Sequence, residues 1–200
     1  MKLLVATRNP HKLIEIRQVL SAPGLELIGA DDLPGLPQEV VEDALTFEGN
    51  ALLKARALAQ AGRCWTLADD SGLEVDALGG APGVLSARYA GPSAGAADNN
   101  AKLLRALQGV TDRRARFRCV MALVAPDGRM WTVDGRCEGR ILEELRGREG
   151  FGYDPLFVPD GQVLTFAELP AGVKNRLSHR GAALRRAMQE WGPMLRGEES

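Results

Sequence analysis

Leu3-Leu4-Val5-Ala6 is a short apolar run that ends in Thr7-Arg8-Asn9, and Leu13, Ile16 and Leu20 follow it at helical spacing. The pattern predicts strand, loop, helix. Asn9 is placed to cap that helix, Pro10 suits its first position, and Lys12 falls in the first turn, where backbone N–H groups lack helical partners. A second strand is predicted over residues 25–28. The segment from Asp31 to Val41, rich in Pro, Gly and acids, reads as a loop. Thr46 then caps a long Ala-rich helix carrying Leu52, Leu53, Ala57 and Leu58 and closing at Gly62.

From Cys64 to Ala68 an apolar strand runs directly into Asp69-Asp70-Ser71-Gly72. Leu73 to Leu78 alternates as a strand, and Gly79-Gly80-Ala81-Pro82-Gly83 breaks it without the spacing of a phosphate or dinucleotide motif. A helix over 98–107 follows, then a hairpin of 116–125 and 130–137 around Pro126-Asp127-Gly128. Gly150 to Asp154 is predicted as a loop, 155–158 as a short strand and 177–191 as a terminal helix. Strands that alternate with helices in this way belong to a mixed α/β fold.

Composition sharpens this picture. The 200 residues are 45% apolar and 26% charged, enough for one sizeable core, so residues 1–200 are expected to form a single, bilobed domain. A formal charge of -1 supplies no global field to hold nucleic acid or anionic lipid, and any phosphate recognition must be local. Cys64, Cys119 and Cys137 show no metal-ligand spacing and read as buried, reduced thiols. With no long apolar segment and no secretory cleavage pattern, the expected location is cytoplasmic.

Four polar clusters sit at the boundaries of apolar elements: Thr7 to Lys12, Glu42 with Thr46, Asp69 to Ser71, and Lys174 with Ser178 to Arg180. Two are acidic and two basic, the combination that metal-assisted phosphoanhydride cleavage requires, since carboxylates hold a hard cation while cationic and N–H donors neutralise phosphate. On its own, Asp69-Asp70 reads as an acidic turn closing a strand. Glu42 on its own reads as one of several solvated loop acids, and Lys54 as a residue on the exposed face of its helix. Lys12 is more pointed, because a lysine in a first helical turn opposes the helix dipole unless an anion arrives. His11 and His179 are the only histidines, each at a predicted helix start. Phe151 and Tyr153 lie in a Gly-flanked loop, where a ring either stacks on a base or packs in the core.

Taken in order, these segments resemble the inosine triphosphate pyrophosphatase family almost end to end. The resemblance is carried by Ala6-Thr7-Arg8-Asn9-Pro10-His11-Lys12, Leu45-Thr46-Phe47, Asn50-Ala51, Leu53-Lys54-Ala55-Arg56 and Ala68-Asp69-Asp70-Ser71-Gly72-Leu73. It continues through Gly79-Gly80-Ala81-Pro82-Gly83, Ser86-Ala87-Arg88-Tyr89, Gly150-Phe151-Gly152-Tyr153-Asp154-Pro155 and Ser178-His179-Arg180-Gly181. It implies an α/β fold with a mixed central sheet flanked by helices, two lobes around a central active-site cleft, and a homodimer. The implied activity is hydrolysis of ITP, dITP and XTP to nucleoside monophosphate and pyrophosphate, with Mg²⁺ as cofactor.

By the same resemblance, Thr7, Arg8, Asn9, Pro10, His11 and Lys12 bind the triphosphate, with Lys12 also assisting catalysis. Glu42, Asp69 and Asp70 are the metal ligands, and Asp70 is the general base. Lys54, Ser71, Phe151, Gly152, Tyr153, Asp154, Lys174, His179 and Arg180 contact the nucleotide. One departure stands out: the family usually has a glutamate directly before the asparagine of its second motif, whereas Gly49 precedes Asn50 here, so Glu48 is given no metal role. The rivals are a pyrophosphatase for modified pyrimidines, a non-catalytic nucleotide-binding module, and a nucleic-acid binder using Arg113 to Arg118. The near-neutral charge argues against the last, so neither a stable nucleic-acid partner nor a membrane partner is expected.

Overall fold

The computed structural model describes residues 1–20 and 24–196. Its elements are the strands β1 (Lys2–Val5), β2 (Glu26–Gly29), β3 (Trp65–Val75), β4 (Arg114–Val124), β5 (Met130–Ile141) and β6 (Phe157–Pro159). Between and after them lie the helices α1 (Pro10–Val19), α2 (Phe47–Gly62), α3 (Ala96–Ala106), α4 (Ala171–Leu177) and α5 (His179–Leu195). The strands form one sheet in the order β2-β1-β3-β4-β5-β6. β1 is parallel to both β2 and β3, whereas β5 and β6 are antiparallel, so the sheet is mixed. Among the described residues no helix is long and apolar enough to cross a membrane.

The chain divides into two compact units. The first comprises Met1–Asp70, Cys119–Gly135 and Arg180–Ser200; the second comprises Ser71–Arg118 and Arg136–His179. In the first, Leu3, Val5 and Leu67 from the sheet pack with Ile16 of α1 and with Ala183, Leu184, Ala187 and Trp191 of α5. In the second, Leu73 and Val75 pack with Leu103 and Leu107 and with an aromatic group of Phe117, Phe157 and Phe166.

Local chemistry explains most boundaries. Asn9 caps α1 through its side-chain oxygen and Pro10 occupies the first turn, as the sequence predicts. Thr46 caps α2 by accepting from Gly49 N, and Arg63, in the left-handed conformation, closes it one residue after Gly62. Cys119 and Cys137 are buried and Cys64 is half-buried, all as free thiols; burial pushes both the Cys119 and the Cys137 thiol up to about 12.

Three expectations are corrected. Asp69-Asp70-Ser71-Gly72 does not close a strand, because β3 runs unbroken through it to Val75 and a short 3₁₀ turn, Asp76–Leu78, follows. The run stays extended because Thr66 to Asp69 are all buried, which overrides the turn preference of the acids. What does end here is β1, whose parallel pairing with β3 stops at Val5↔Leu67, so both acids lie past the carboxyl end of a parallel pair. The alternation expected to hold a strand from Leu73 to Leu78 does so only as far as Val75, within β3, before that 3₁₀ turn. Finally, the terminal helix expected over 177–191 is α5, which starts at His179, and a helix that the pattern does not predict, α4, precedes it and ends at Leu177, with Ser178 between them extended.

Candidate active site

Asp69 is the hub of the first unit. Its carboxylate is 2% exposed, and its Oδ2 lies 2.9 Å from Lys12 Nζ and 3.2 Å from Arg180 Nη2. Burial alone would raise the Asp69 carboxyl, but Lys12, Arg180 and Lys54 outweigh it and hold the group well below the usual carboxylate range. Arg180 is itself buried and also pairs with Glu15, one helical turn beyond Lys12 on α1. Burial works against the Arg180 cation, yet Asp69 and Glu15 keep it charged and shift it up. Lys12, Asp69, Arg180 and Glu15 thus form a charge-balanced group tying α1, β3 and the start of α5 together.

Asp70 is the next residue of the same strand, and successive strand side chains point to opposite faces. Its carboxyl is shifted up, chiefly by burial, with Glu42 adding to the rise while the Asn50 amide, Lys54 and Lys12 oppose it. Asn50 Nδ2 donates to Asp70 Oδ2 at 3.1 Å. Lys54 does not sit on a solvated face: its ammonium lies 3.0 Å from Glu42 Oε1 and donates to the Asp69 carbonyl at 3.0 Å. The long stem lets a helical lysine reach across to the backbone of β3.

Asn9 Oδ1 accepts from His11 N and Lys12 N, at 3.0 and 3.4 Å, so two first-turn amides are already capped. Thr7 Oγ1 accepts from Asn9 N at 3.2 Å. The Arg8 guanidinium donates to the Gln38 and Pro37 carbonyls and pairs with Asp31, which fastens the 31–38 loop. Pro10 and His11 are exposed at the helix start.

In the second unit, Asp154 organises the 150–154 loop. Its Oδ2 accepts from Phe151 N at 2.8 Å and from Lys174 Nζ at 2.7 Å, both partners of the ion pair being buried. Lys174 Nζ also lies 4.8 Å from the centre of the half-buried Phe151 ring. Gly150 has φ +76°, and a Cβ there would stand 2.2 Å from Asp154 Oδ2, so only glycine allows this turn. Asn100 Nδ2 donates to the Gly152 carbonyl at 2.9 Å. Tyr153 is buried, and its hydroxyl, shifted up mainly by burial, donates to the Ser86 carbonyl at 2.9 Å. His179, 6% exposed, stacks on Phe117 with 4.8 Å between ring centroids. The last basic cluster of the sequence is therefore divided: Lys174 and His179 belong to the second unit and Arg180 to the first. Ser71 follows Asp70 directly and is half-buried.

Among the described residues no three His, Cys, Asp or Glu side chains converge as a self-sufficient metal cage. What is present is a pair of carboxylates in one electrostatic neighbourhood: Glu42 adds to the rise of Asp70, while Lys54, ion-paired to Glu42 at 3.0 Å, opposes that rise more strongly. That donor set fits Mg²⁺, which is commonly held by one or two carboxylates and completes its shell with water and substrate phosphates. Sequence reasoning missed Glu15 and passed over Asn50 as a site residue. Glu15 could have been found from its position three residues after Lys12, where a helix brings the two side chains to one face.

The Ham1 family model matches residues 3–190. The chain is 52% identical over 191 residues to a protein named dITP/XTP pyrophosphatase from Desulforamulus reducens, covering 94% of each chain. It is 51% identical to the protein of that name from Geobacter sulfurreducens, covering 92% of each. Among solved structures, a HAM1 protein from Coxiella burnetii superposes with a TM-score of 0.89 at 38% identity, over 96% of this chain and 98% of that one. A nucleoside-triphosphatase / dITP/XTP pyrophosphatase from Mycobacterium abscessus gives 0.78 at 46% identity, over 94% and 99%. With a family model spanning nearly its whole length and relatives half-identical from end to end, this chain belongs to the Ham1 family.

Proposed function

We propose that this protein hydrolyses deaminated purine nucleoside triphosphates, ITP, dITP and XTP, to the nucleoside monophosphate and pyrophosphate. The observation that carries the reading is the opposite treatment of two adjacent carboxylates: Asp69 is ion-paired to Lys12 and Arg180 and held ionised, while Asp70 accepts from Asn50 Nδ2 and is raised chiefly by burial. Environments that push neighbouring carboxyls apart are how one site separates an electrostatic role from a proton-accepting one. The names carried by the half-identical relatives support the substrate class.

In this reading Asp70 accepts the proton of the water that attacks the α-phosphorus, and the bond from that phosphorus to the bridging oxygen breaks, releasing pyrophosphate. Mg²⁺, when bound, supplies Lewis-acid stabilisation of the phosphate charge. Glu42 and Asp70 hold it. Asp69, engaged by Lys12 and Arg180, anchors those two cations instead of serving as the main metal ligand. Lys12 and Lys54 neutralise charge on the departing phosphates. The segment Thr7 to His11 shapes the triphosphate end, with Arg8 acting through the loop that it fastens.

For the base, Lys174 and His179 donate to the O6 acceptor of hypoxanthine or xanthine, where adenine presents an N6 donor. Phe151 supplies a stacking face, and Ser71, Gly152 and Asp154 complete the nucleotide contacts. The protein works in the cytoplasm as a homodimer. The decisive experiment incubates purified protein with Mg²⁺ and ITP, XTP, GTP, ATP and modified pyrimidine triphosphates side by side, measuring pyrophosphate against orthophosphate. Pyrophosphate from ITP and XTP in preference to the rest is expected. Orthophosphate as sole primary product, or a pyrimidine preference, overturns the reading.

A further inference from the structure

Gly49 sits at the third position of α2, where glycine costs about 1 kcal/mol against alanine. The structure supplies a reason for it. A Cβ at Gly49 would stand 2.6 Å from the Ala44 Cβ and 3.2 Å from Thr46 Oγ1. Carbon atoms settle about 3.5–4.0 Å apart, so any side chain here would push Ala44 away by about 1 Å. Ala44 is two residues beyond Glu42, and its backbone is fixed by the neighbouring helix residue: Asn50 Oδ1 accepts from Ala44 N at 2.9 Å. The other end of the same amide, Asn50 Nδ2, donates to Asp70 Oδ2 at 3.1 Å. Asn50 is 1% exposed, with both ends of its amide engaged. One buried side chain thus connects the loop bearing Glu42 to the strand bearing Asp70.

We propose that Gly49 and Asn50 are positioning residues that set the spacing of Glu42 and Asp70 for a divalent cation, Gly49 by admitting the 42–44 loop against α2 and Asn50 by linking it to Asp70. This rests on the reading of Glu42 and Asp70 as the cation's protein ligands. It also gives Gly49, the position at which this chain departs from the usual glutamate, a steric role.

The test titrates Mn²⁺ alone into the purified full chain, following free Mn²⁺ by electron paramagnetic resonance, with thermal melting of the metal-free proteins alongside. Partners that orient metal ligands typically contribute 10–100-fold in affinity, so Gly49→Ala should weaken Mn²⁺ binding about tenfold. Ala44→Gly/Gly49→Ala removes the colliding methyl and should recover most of that loss. Asn50→Ala adds no bulk and should weaken binding to a similar extent, which keeps the test in force if Gly49→Ala does not fold. Wild-type Mn²⁺ affinity in Asn50→Ala or in folded Gly49→Ala overturns the proposal, as does a folded double variant that recovers nothing. Glu42→Gln separates the two levels. If it binds Mn²⁺ as well as wild type, or wild type binds none, the carboxylate-pair reading fails and takes this inference with it.

Discussion

Arg180 Nη2 lies 3.2 Å from Asp69 Oδ2, joining two residues 111 positions apart in the sequence and both 2% exposed or less. Removing one member of a buried, hydrogen-bonded pair leaves the other charge uncompensated and typically costs about 3–5 kcal/mol. Asp69→Asn should therefore lower thermal stability markedly, and substrate binding with it, since Lys12 and Arg180 lose their common anchor. The pH dependence has a definite sign. Because the folded Asp69 is held below its unfolded value of about 3.9, its contribution is present above that pH and is lost as pH falls toward the folded value. Melting curves from pH 7 to pH 3 should show a stability slope in wild type that is shallower in Asp69→Asn; identical slopes would remove Asp69 from this role.

Asp70 carries the opposite sign. Its folded value is raised, so its contribution is fully present below about pH 3.9 and is lost as pH rises through the folded value. Above that value an ionised Asp70, penalised chiefly by its burial, burdens the metal-free fold. Asp70→Asn keeps the oxygen that Asn50 Nδ2 donates to, and should raise the metal-free melting temperature at pH 7 while cutting kcat by roughly 10²–10⁴. Near-normal turnover in that variant would exclude Asp70 as the base.

These two acids also show where the sequence was legible. Asn9, Pro10 and Thr46 announce their helices because caps act locally, and the 126–128 turn announces its hairpin. The mixed α/β class follows from such local signals. Asp69-Asp70-Ser71-Gly72 misleads because two acids and a glycine resemble punctuation, while the burial that keeps them extended comes from elements distant in sequence. Lys54 was hidden for a related reason: periodicity fixes where a stem leaves the helix and not where a four-carbon chain ends. The charge group around Arg180 draws on α1, β3 and α5, and no single window of the chain contains it.

Lys174 tests selectivity. Its ammonium is buried against Asp154 and lies over the Phe151 ring, a fixed cation beside an aromatic face. Hydrogen bonds to charged groups are worth about 1.5–3 kcal/mol, so Lys174→Ala should reduce the ITP-over-ATP ratio of kcat/KM roughly 10–100-fold. It will also destabilise the fold by leaving Asp154 buried without its cation. The double variant Lys174→Ala/Asp154→Asn removes that stranded charge, so melting temperature should recover while discrimination should not. A wild-type ITP/ATP ratio in either variant would exclude Lys174 from base recognition.

Phe151 and Tyr153 belong to one loop, and their surroundings separate their roles. Tyr153 is 4% exposed, and its hydroxyl is committed to the Ser86 carbonyl, which makes it a core residue supporting the loop. Phe151 is half-buried beneath the Lys174 ammonium, where its face remains the better candidate for a base. Tyr153→Phe deletes one hydrogen bond and should cost about 1 kcal/mol of stability, with kcat/KM for ITP staying within about twofold of wild type. Phe151→Ala should instead raise KM about tenfold with kcat little changed, because base–aromatic stacking contributes about 1–3 kcal/mol and is made equally in ground and transition states. Should Tyr153→Phe raise KM as much as Phe151→Ala does, the Tyr153 hydroxyl would have to reach the nucleotide, and the Ser86 contact could not be its resting partner during turnover.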